Sequence, residues 1–243
     1  MKKMRLFNLL LIGVLFLSTA CTSEQILSTT NTILTGGGVA LTEGEASQGL
    51  RQALIQGITK GVSSASAKGG FNSNSLIKIP FPPDAIKVAN TLRDIGLGGE
   101  VDKFVTTLNE GAEDAATAAK PIFVSAIKQL TIQDAFNILK GDSKTAATDF
   151  LKRATSTQLK AAFLPKISAS LDKVNATKSY TNLVNRYNKL PLVQKVNPDL
   201  KDYATELAMD GLFKLVAKEE QNIRANPMAR GSELLKKVFS TQD

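Results

Sequence analysis

Histidine and tryptophan are absent from this 243-residue chain, and cysteine occurs once, as Cys21. Without imidazole there is no Ser-His-Asp triad, no Cys-His dyad and no His-ligated zinc, so the commonest neutral-pH base and the commonest metal ligand are both missing. A single thiol excludes an internal disulfide framework and any thiolate-rich metal cluster. Aromatic residues are sparse, at 11 Phe and 3 Tyr. No apolar run reaches the roughly 20 residues that a membrane-spanning helix needs. What is present is a 43% hydrophobic share, enough for a real core, with 30 Lys+Arg against 22 Asp+Glu. This composition points to no cofactor, no metal and no catalytic residue.

Residues 1–20 place Lys2, Lys3 and Arg5 ahead of an apolar stretch from Leu6 to Leu17, the layout of an export signal. The run Leu17-Ser18-Thr19-Ala20-Cys21 resembles a bacterial lipobox with the only cysteine at the acceptor position. That resemblance implies a diacylglycerol on the thiol and an acylated new amino terminus. Several acyl chains, at ~0.8 kcal/mol per buried CH₂, anchor durably where one chain is marginal. An ordinary secretory signal followed by an incidental cysteine is the alternative. Thr22 rather than Asp follows Cys21, which by analogy with enteric sorting points to the outer membrane, facing the periplasm. The expected place is thus the cell envelope, with the membrane as partner through the anchor. Loss of residues 1–20 leaves 27 cationic side chains against 22 anionic ones. The lysines look dispersed, a solvated surface accounts for them, and export argues against a nucleic-acid partner.

Residues 21–41 are Ser/Thr-rich and contain Gly36-Gly37-Gly38, the composition of a flexible tether. A single helical domain is expected over residues 42–243. Thr42 and Glu45 have capping-box spacing, and Leu50, Leu54, Ile58 and Val62 then recur at i+4 beside a small-residue stripe of Ala53, Gly57, Gly61 and Ala65. Interior glycines cost about 1 kcal/mol each against Ala, which predicts a neighbour packed closely there. Residues 69–83 hold Pro80, Pro82 and Pro83 and predict an extended strap, with Ile77, Ile79 and Phe81 alternating toward a buried side. Every later signal is helical. A helix over residues 84–95 stops at Gly96. A stripe from Val101 to Leu130 should kink or break at Pro121. Thr131 caps residues 132–140, which Gly141 closes, and Ser143 opens the next helix. Thr155 with Gln158 offers a further capping box before a helix carrying Pro165. Tyr180 to Tyr187 marks another, ending near Pro191. Asn197-Pro198 reads as a cap and first-turn proline for a helix reaching Asn226-Pro227, and a short one holds Leu234 to Phe239. The fold class is all-α: an irregular bundle of seven to nine helices with a proline-rich strap, preceded by signal peptide and tether.

Three Ser-x-x-Lys matches, at Ser75, Ser125 and Ser170, are no surprise in a chain this rich in Ser and Lys, and no Lys-Thr-Gly or Ser-Asp-Asn accompanies them. Gly96-x-Gly98-Gly99 follows no strand and reads as a helix end and turn. Glu110, Glu113 and Asp114 cluster within about one helical turn, where a solvated acidic face is the bland reading and a shared proton or hard cation the sharper one. Glu220 and Arg224 stand in the favourable i, i+4 order for an ion pair. Arg230, just past Pro227, can reach the last carbonyls of its helix or Glu219. Locking of the last helices against the bundle is the first reading of these arginines, and anion or partner recognition by their planar forks the second.

The stretches Ile77-Lys78-Ile79-Pro80, Asn109 with Ala112-Glu113, Asp134-Ala135, Asp210-Gly211-Leu212-Phe213, Ile223-Arg224 with Pro227 and Arg230, and Leu234 to Phe239 together resemble a bacterial family known as domain of unknown function 4197. The resemblance covers about residues 42–240. It implies an exported lipoprotein with a helical fold and carries no activity, cofactor or substrate.

The candidate site residues are Cys21 for lipid attachment and a polar set, binding or structural, of Asn109, Glu113, Asp134, Glu220, Arg224 and Arg230. The leading functional expectation is a non-catalytic, lipid-anchored envelope protein that binds or scaffolds a protein partner. A carrier of an apolar ligand such as a lipid is the alternative, and a hydrolase built on Glu110, Glu113 and Asp134 a second. Whether the polar set converges on one cavity separates these readings.

Overall fold

The computed structural model describes residues 34–36, 39–94, 96–141, 143–173, 175–189, 191, 195–197 and 199–240. The signal peptide, the lipobox and Cys21 lie outside the described residues. Within the unit of residues 33–243 the chain forms a short hairpin and then, among the described residues, nine α-helices. The hairpin pairs β1 (Leu34–Gly36) with β2 (Val39–Leu41) antiparallel, Thr35 opposite Ala40. It falls where a structureless tether is expected.

Helix α1 (Glu43–Ser66) begins as its sequence dictates. The Thr42 hydroxyl accepts the Glu45 N–H at 3.2 Å while the Glu45 carboxylate accepts the Thr42 N–H at 2.9 Å, satisfying two orphan amides of the first turn. A one-turn 3₁₀ segment leads into α2 (Ile86–Asp94), which ends at Gly96 with φ +83°, a left-handed position that glycine adopts without strain. The 101–130 stripe breaks as expected into α3 (Gly98–Ala116) and α4 (Ala119–Lys128). The break sits at Thr117–Ala118, so Pro121 occupies the first turn of α4, where its missing N–H has no intrahelical partner to lose. Thr131 and Asp134 cap α5 (Ile132–Lys140), which Gly141 closes in an extended conformation.

Two expected helix starts are corrected. Residues 146–173 form one helix, α6 (Ala146–Lys173), running through both Thr155 and Pro165. Thr155 is buried on the core face between Leu151 and Leu159, and its hydroxyl bonds back to the Leu151 carbonyl at 2.7 Å instead of capping. Pro165 is exposed, on the solvent side of the helix. After α7 (Ala176–Tyr187), α8 (Leu200–Ala225) begins two residues later than expected. Asp199 is the cap, its carboxylate accepting the Asp202 N–H at 3.0 Å, while Asn197 accepts the Asp199 N–H at 2.9 Å. A 3₁₀ turn and α9 (Glu233–Phe239) complete the chain.

The small-residue stripe of α1 has the neighbour it requires. A Cβ added at Gly57 would lie 3.6 Å from Glu219, and one at Gly61 3.4 Å from Val216, so α8 runs antiparallel along α1 at close range. Ala147 and Thr148 meet Glu220 while Lys160 meets Asp202, making α6 antiparallel to α8. Ser170 packs on Gly111 and Lys166 on Asp114, making α3 antiparallel to α6. The strap of residues 69–83 crosses this assembly with Phe71, Ile77 and Ile79 at 0%, 5% and 1% exposure. Burying each such side chain contributes about 1.5–3 kcal/mol, enough to hold a segment that has little secondary structure of its own. Phe81 adds a tilted ring contact to Phe104, at 5.0 Å between centroids.

Candidate functional site

The polar candidates separate into three places. Two of them, one turn apart on α3, hold the strap. Asn109 is fully buried; its Oδ1 accepts the Ile79 N–H at 2.8 Å, and its Nδ2 donates to the carbonyls of Ile79 at 2.9 Å and Val105 at 2.7 Å. The amide thereby reads both backbone groups of Ile79, as a neighbouring strand would. Glu113, 7% exposed, accepts the N–H groups of Gly69, Phe71 and Asn72, each at 3.1 Å. Successive amides can surround one carboxylate because the chain turns sharply there: Gly69 sits at φ +78°, and a Cβ on Gly70 would collide with the carbonyl oxygens of Ser64, Ala65 and Ala67. Tyr203 adds an O–H donation to the Pro80 carbonyl at 3.2 Å, and burial pushes its phenol up to about 12.

The second place joins α8 to α5 and α6. Glu220 is 8% exposed and faces the first turn of α6. One carboxylate oxygen accepts the Ala147 N–H at 3.0 Å, and the other accepts the Thr148 N–H and hydroxyl at 2.8 Å each. It is an anionic cap supplied from across the bundle, at the positive end of the α6 dipole. Arg224 donates to Glu220 at 3.0 Å and to the Ile138 carbonyl, at the end of α5, at 3.0 Å. Arg230, 3% exposed, donates to the carbonyls of Ile223 at 3.2 Å and Arg224 at 3.0 Å, closing the C-terminus of α8. Of the two expected targets it takes the carbonyls. Both guanidinium groups lie over the Phe239 ring, at 5.9 and 5.8 Å from its centroid.

The third place is Asp134, which accepts the Thr131 N–H and hydroxyl at 3.0 and 2.6 Å in the α5 capping box. These bonds, the hydroxyl's foremost, hold its carboxyl below the ordinary range. A general acid requires the opposite shift. Glu110 and Asp114, four residues apart, are both exposed on one face of α3, with Asp114 paired to Lys166 at 3.3 Å, while Glu113 points away from them into the bundle. Among the described residues no group of three His, Cys, Asp or Glu is placed to hold a metal ion. None of the described helices is long and apolar enough to cross a membrane.

Asn109 and Glu113 therefore come together, as do Glu220, Arg224 and Arg230, while Asp134 stands alone. In each place the polar atoms face backbone groups rather than a shared cleft. The gap lined by Leu50, Leu54, Ile58, Val216, Ile223 and Phe239 has a volume of about 20 Å³, room for a water and not for an acyl chain. An open groove of about 290 Å³ runs between the strap and α8, past Leu76, Pro80, Tyr203 and Lys214. Another of about 250 Å³ lies between α6 and α8, past Lys152, Lys160 and Glu206. Of the lysines lining them, Lys152 and Lys214 pair with Asp210 and Lys160 with Asp202 and Glu206, while Lys78 is exposed. Sequence spacing missed several tertiary clamps. Arg51 donates to the Leu130 carbonyl, Gln56 to Ala229, and Asn188 to Val196. A lone exposed-looking polar residue on a helix carries no signal for such a bond.

With the geometry in place, comparison with known proteins adds one finding: residues 40–240 match the model of the family described as Protein of unknown function (DUF4197). No curated protein and no solved structure matches the chain.

Proposed function

We propose, from the premise that this chain belongs to the DUF4197 family, that it is a non-catalytic helical protein held by lipid on Cys21 at the periplasmic side of the outer membrane, where its body binds or scaffolds an envelope partner. The observation that carries the non-catalytic reading is the commitment of its buried polar groups. Glu113, Asn109, Glu220 and Arg230 each bind two or more backbone groups that have no other role than to hold strap and helices together. A general base or nucleophile needs lone pairs facing a reactant, and these face the protein's own amides. The anchor reading is supported by the lone cysteine standing directly after a small-residue cleavage stretch.

The test is metabolic labelling with palmitate followed by membrane fractionation. The wild-type chain should incorporate label and sediment with outer membranes. Cys21→Ser should lose the label and appear in the soluble periplasmic fraction. An unlabelled wild-type chain, or a Cys21→Ser chain that stays as firmly attached, overturns the anchor. Turnover of an envelope substrate by the purified protein, lost in Glu113→Gln while the variant remains folded, overturns the non-catalytic reading.

A further inference from the structure

The positive excess is not spread evenly along the chain. Residues 173–198 contain Lys173, Lys178, Arg186, Lys189 and Lys195 and no Asp or Glu. Outside that segment and the first 20 residues, 22 cationic side chains face 22 anionic ones. The whole surplus of the exported body therefore resides in one arm of the chain, which runs from the last residue of α6 through α7 toward α8.

The structure shows how the arm is held and which way it presents its charge. Tyr180 is buried at 6% exposure, stacks near Phe104 with centroids 6.5 Å apart, and donates to the Asn197 carbonyl at 3.4 Å. The Asn188 side chain accepts the Val196 N–H at 2.8 Å and donates to its carbonyl at 2.7 Å. That bracket brings the neighbouring Lys189 and Lys195 to the same end of α7. Lys173, Lys178, Lys189 and Lys195 are all exposed, and among the described residues none has an ion-pair partner. The nearest acids in sequence are otherwise engaged: Asp172 pairs with Lys201 at 3.1 Å, and Asp199 caps α8. Lysines elsewhere are of both kinds, Lys60, Lys152, Lys160, Lys166 and Lys214 ion-paired and Lys120, Lys128, Lys144 and Lys218 exposed, so what sets the arm apart is that its stretch of chain holds no acid at all.

We infer that the α7 arm is an electrostatic docking surface for an anionic phospholipid membrane. Ammonium groups on flexible stems are hydrated point charges without the directional fork of arginine, so an array of them suits a plane of phosphates better than one defined ligand. Attraction of this kind is weak per residue, about fivefold in binding for each lysine near an anionic surface. It becomes effective when the surface is already close. The inference rests on the proposed Cys21 anchor for that closeness, which turns the contact into an intramolecular one. The arm then orients the body on the bilayer and leaves the charge-balanced faces toward the periplasm.

The experiment measures sedimentation of the non-acylated Cys21→Ser chain with vesicles of phosphatidylcholine alone or mixed equally with phosphatidylglycerol. Binding should need phosphatidylglycerol and weaken at high salt. Replacing Lys173, Lys178, Lys189 and Lys195 by Gln should lower it by a hundredfold or more, on the order of fivefold per charge. A charge-matched control replaces the exposed Lys120, Lys128, Lys144 and Lys218 and should keep most of the binding; circular dichroism confirms that both variants are folded. The inference is overturned by binding that ignores lipid charge, by an equal loss in the control, or by binding to poly-glutamate but not to vesicles. Failure of palmitate labelling with vesicle binding intact would remove the anchor and leave the arm, and the reverse result would remove the arm and leave the anchor.

Discussion

Replacing Glu113 with Gln tests the central claim that this carboxylate holds the strap. Three backbone N–H groups converge on it at 3.1 Å, two on one oxygen and one on the other, and the side chain is 7% exposed. Hydrogen bonds to a charged group contribute ~1.5–3 kcal/mol each in net terms, and a buried donor left without a partner costs ~1–3 kcal/mol. The amide of Gln keeps one acceptor oxygen and turns an NH₂ toward the donors that met the other. At least one bond is lost and one N–H faces another donor, so a destabilisation of about 2–4 kcal/mol is expected. At ~2–4 °C per kcal/mol for a body of this size, the melting temperature should fall by roughly 5–15 °C. Glu110→Gln, one turn away and exposed, should stay within about 0.5 kcal/mol of wild type. Urea unfolding gives the energies, and hydrogen exchange at the Phe71 and Asn72 amides gives the location. These amides should lose protection in Glu113→Gln before the rest of the bundle does. A cost below about 1 kcal/mol, or unchanged protection at the two amides, would refute the clamp.

Two further perturbations probe the other polar places. Glu220→Gln breaks a buried pair with Arg224 and weakens the cap on Ala147 and Thr148, so urea unfolding should show a loss of about 3–5 kcal/mol; a loss no larger than that of an exposed ion pair would mean the carboxylate is not the α6 cap. For Asp134 the sign follows from its lowered carboxyl: its ionised form stabilises the fold above the unfolded value of about 3.9, and that contribution disappears as pH falls through the folded value. Asp134→Asn should therefore cost stability at about pH 7, and the cost should shrink as the pH falls through the folded value; an equal cost at neutral and acid pH would show that ionisation plays no part.

The strap gives the fold its dependence on these groups. It crosses the bundle without a sheet or helix; local turns satisfy the amides of Gly70, Ser73, Asn74, Ile77 and Lys78 from nearby carbonyls, and those of Gly69, Phe71, Asn72 and Ile79 need side-chain acceptors. Asn109 and Glu113 supply them from α3, while Phe71, Ile77 and Ile79 supply the apolar contact. Gly211 on α8 completes the fit, since a Cβ there would lie 2.8 Å from Phe71 and 3.1 Å from Ile77. Glu220 plays the same part at the entrance of α6, where the Ser143 side chain meets the Thr145 N–H and hydroxyl, each at 3.2 Å, and the Ala147 and Thr148 amides take their acceptor from α8.

What the sequence by itself determined is local. The Thr42–Glu45 and Thr131–Asp134 capping boxes, the stop at Gly96, the break before Pro121 and the alternation of Ile77, Ile79 and Phe81 all depend on residues within about one turn of each other, where spacing is geometry. Even the need for a close neighbour at Gly57 and Gly61 was legible, because a helix tolerates such glycines only against something packed. Thr155 and Asn197 show the limit: each has the spacing of a cap, and burial in one case and a competing Asp199 in the other decided otherwise. Tertiary structure alone chose the partners of Glu113, Asn109 and Glu220, which lie 44, 30 and 73 residues away in the chain. A carboxylate on a helix has the same local pattern whether it meets water or three buried amides, and only the packing of α3 against the strap and of α8 against α6 determines which.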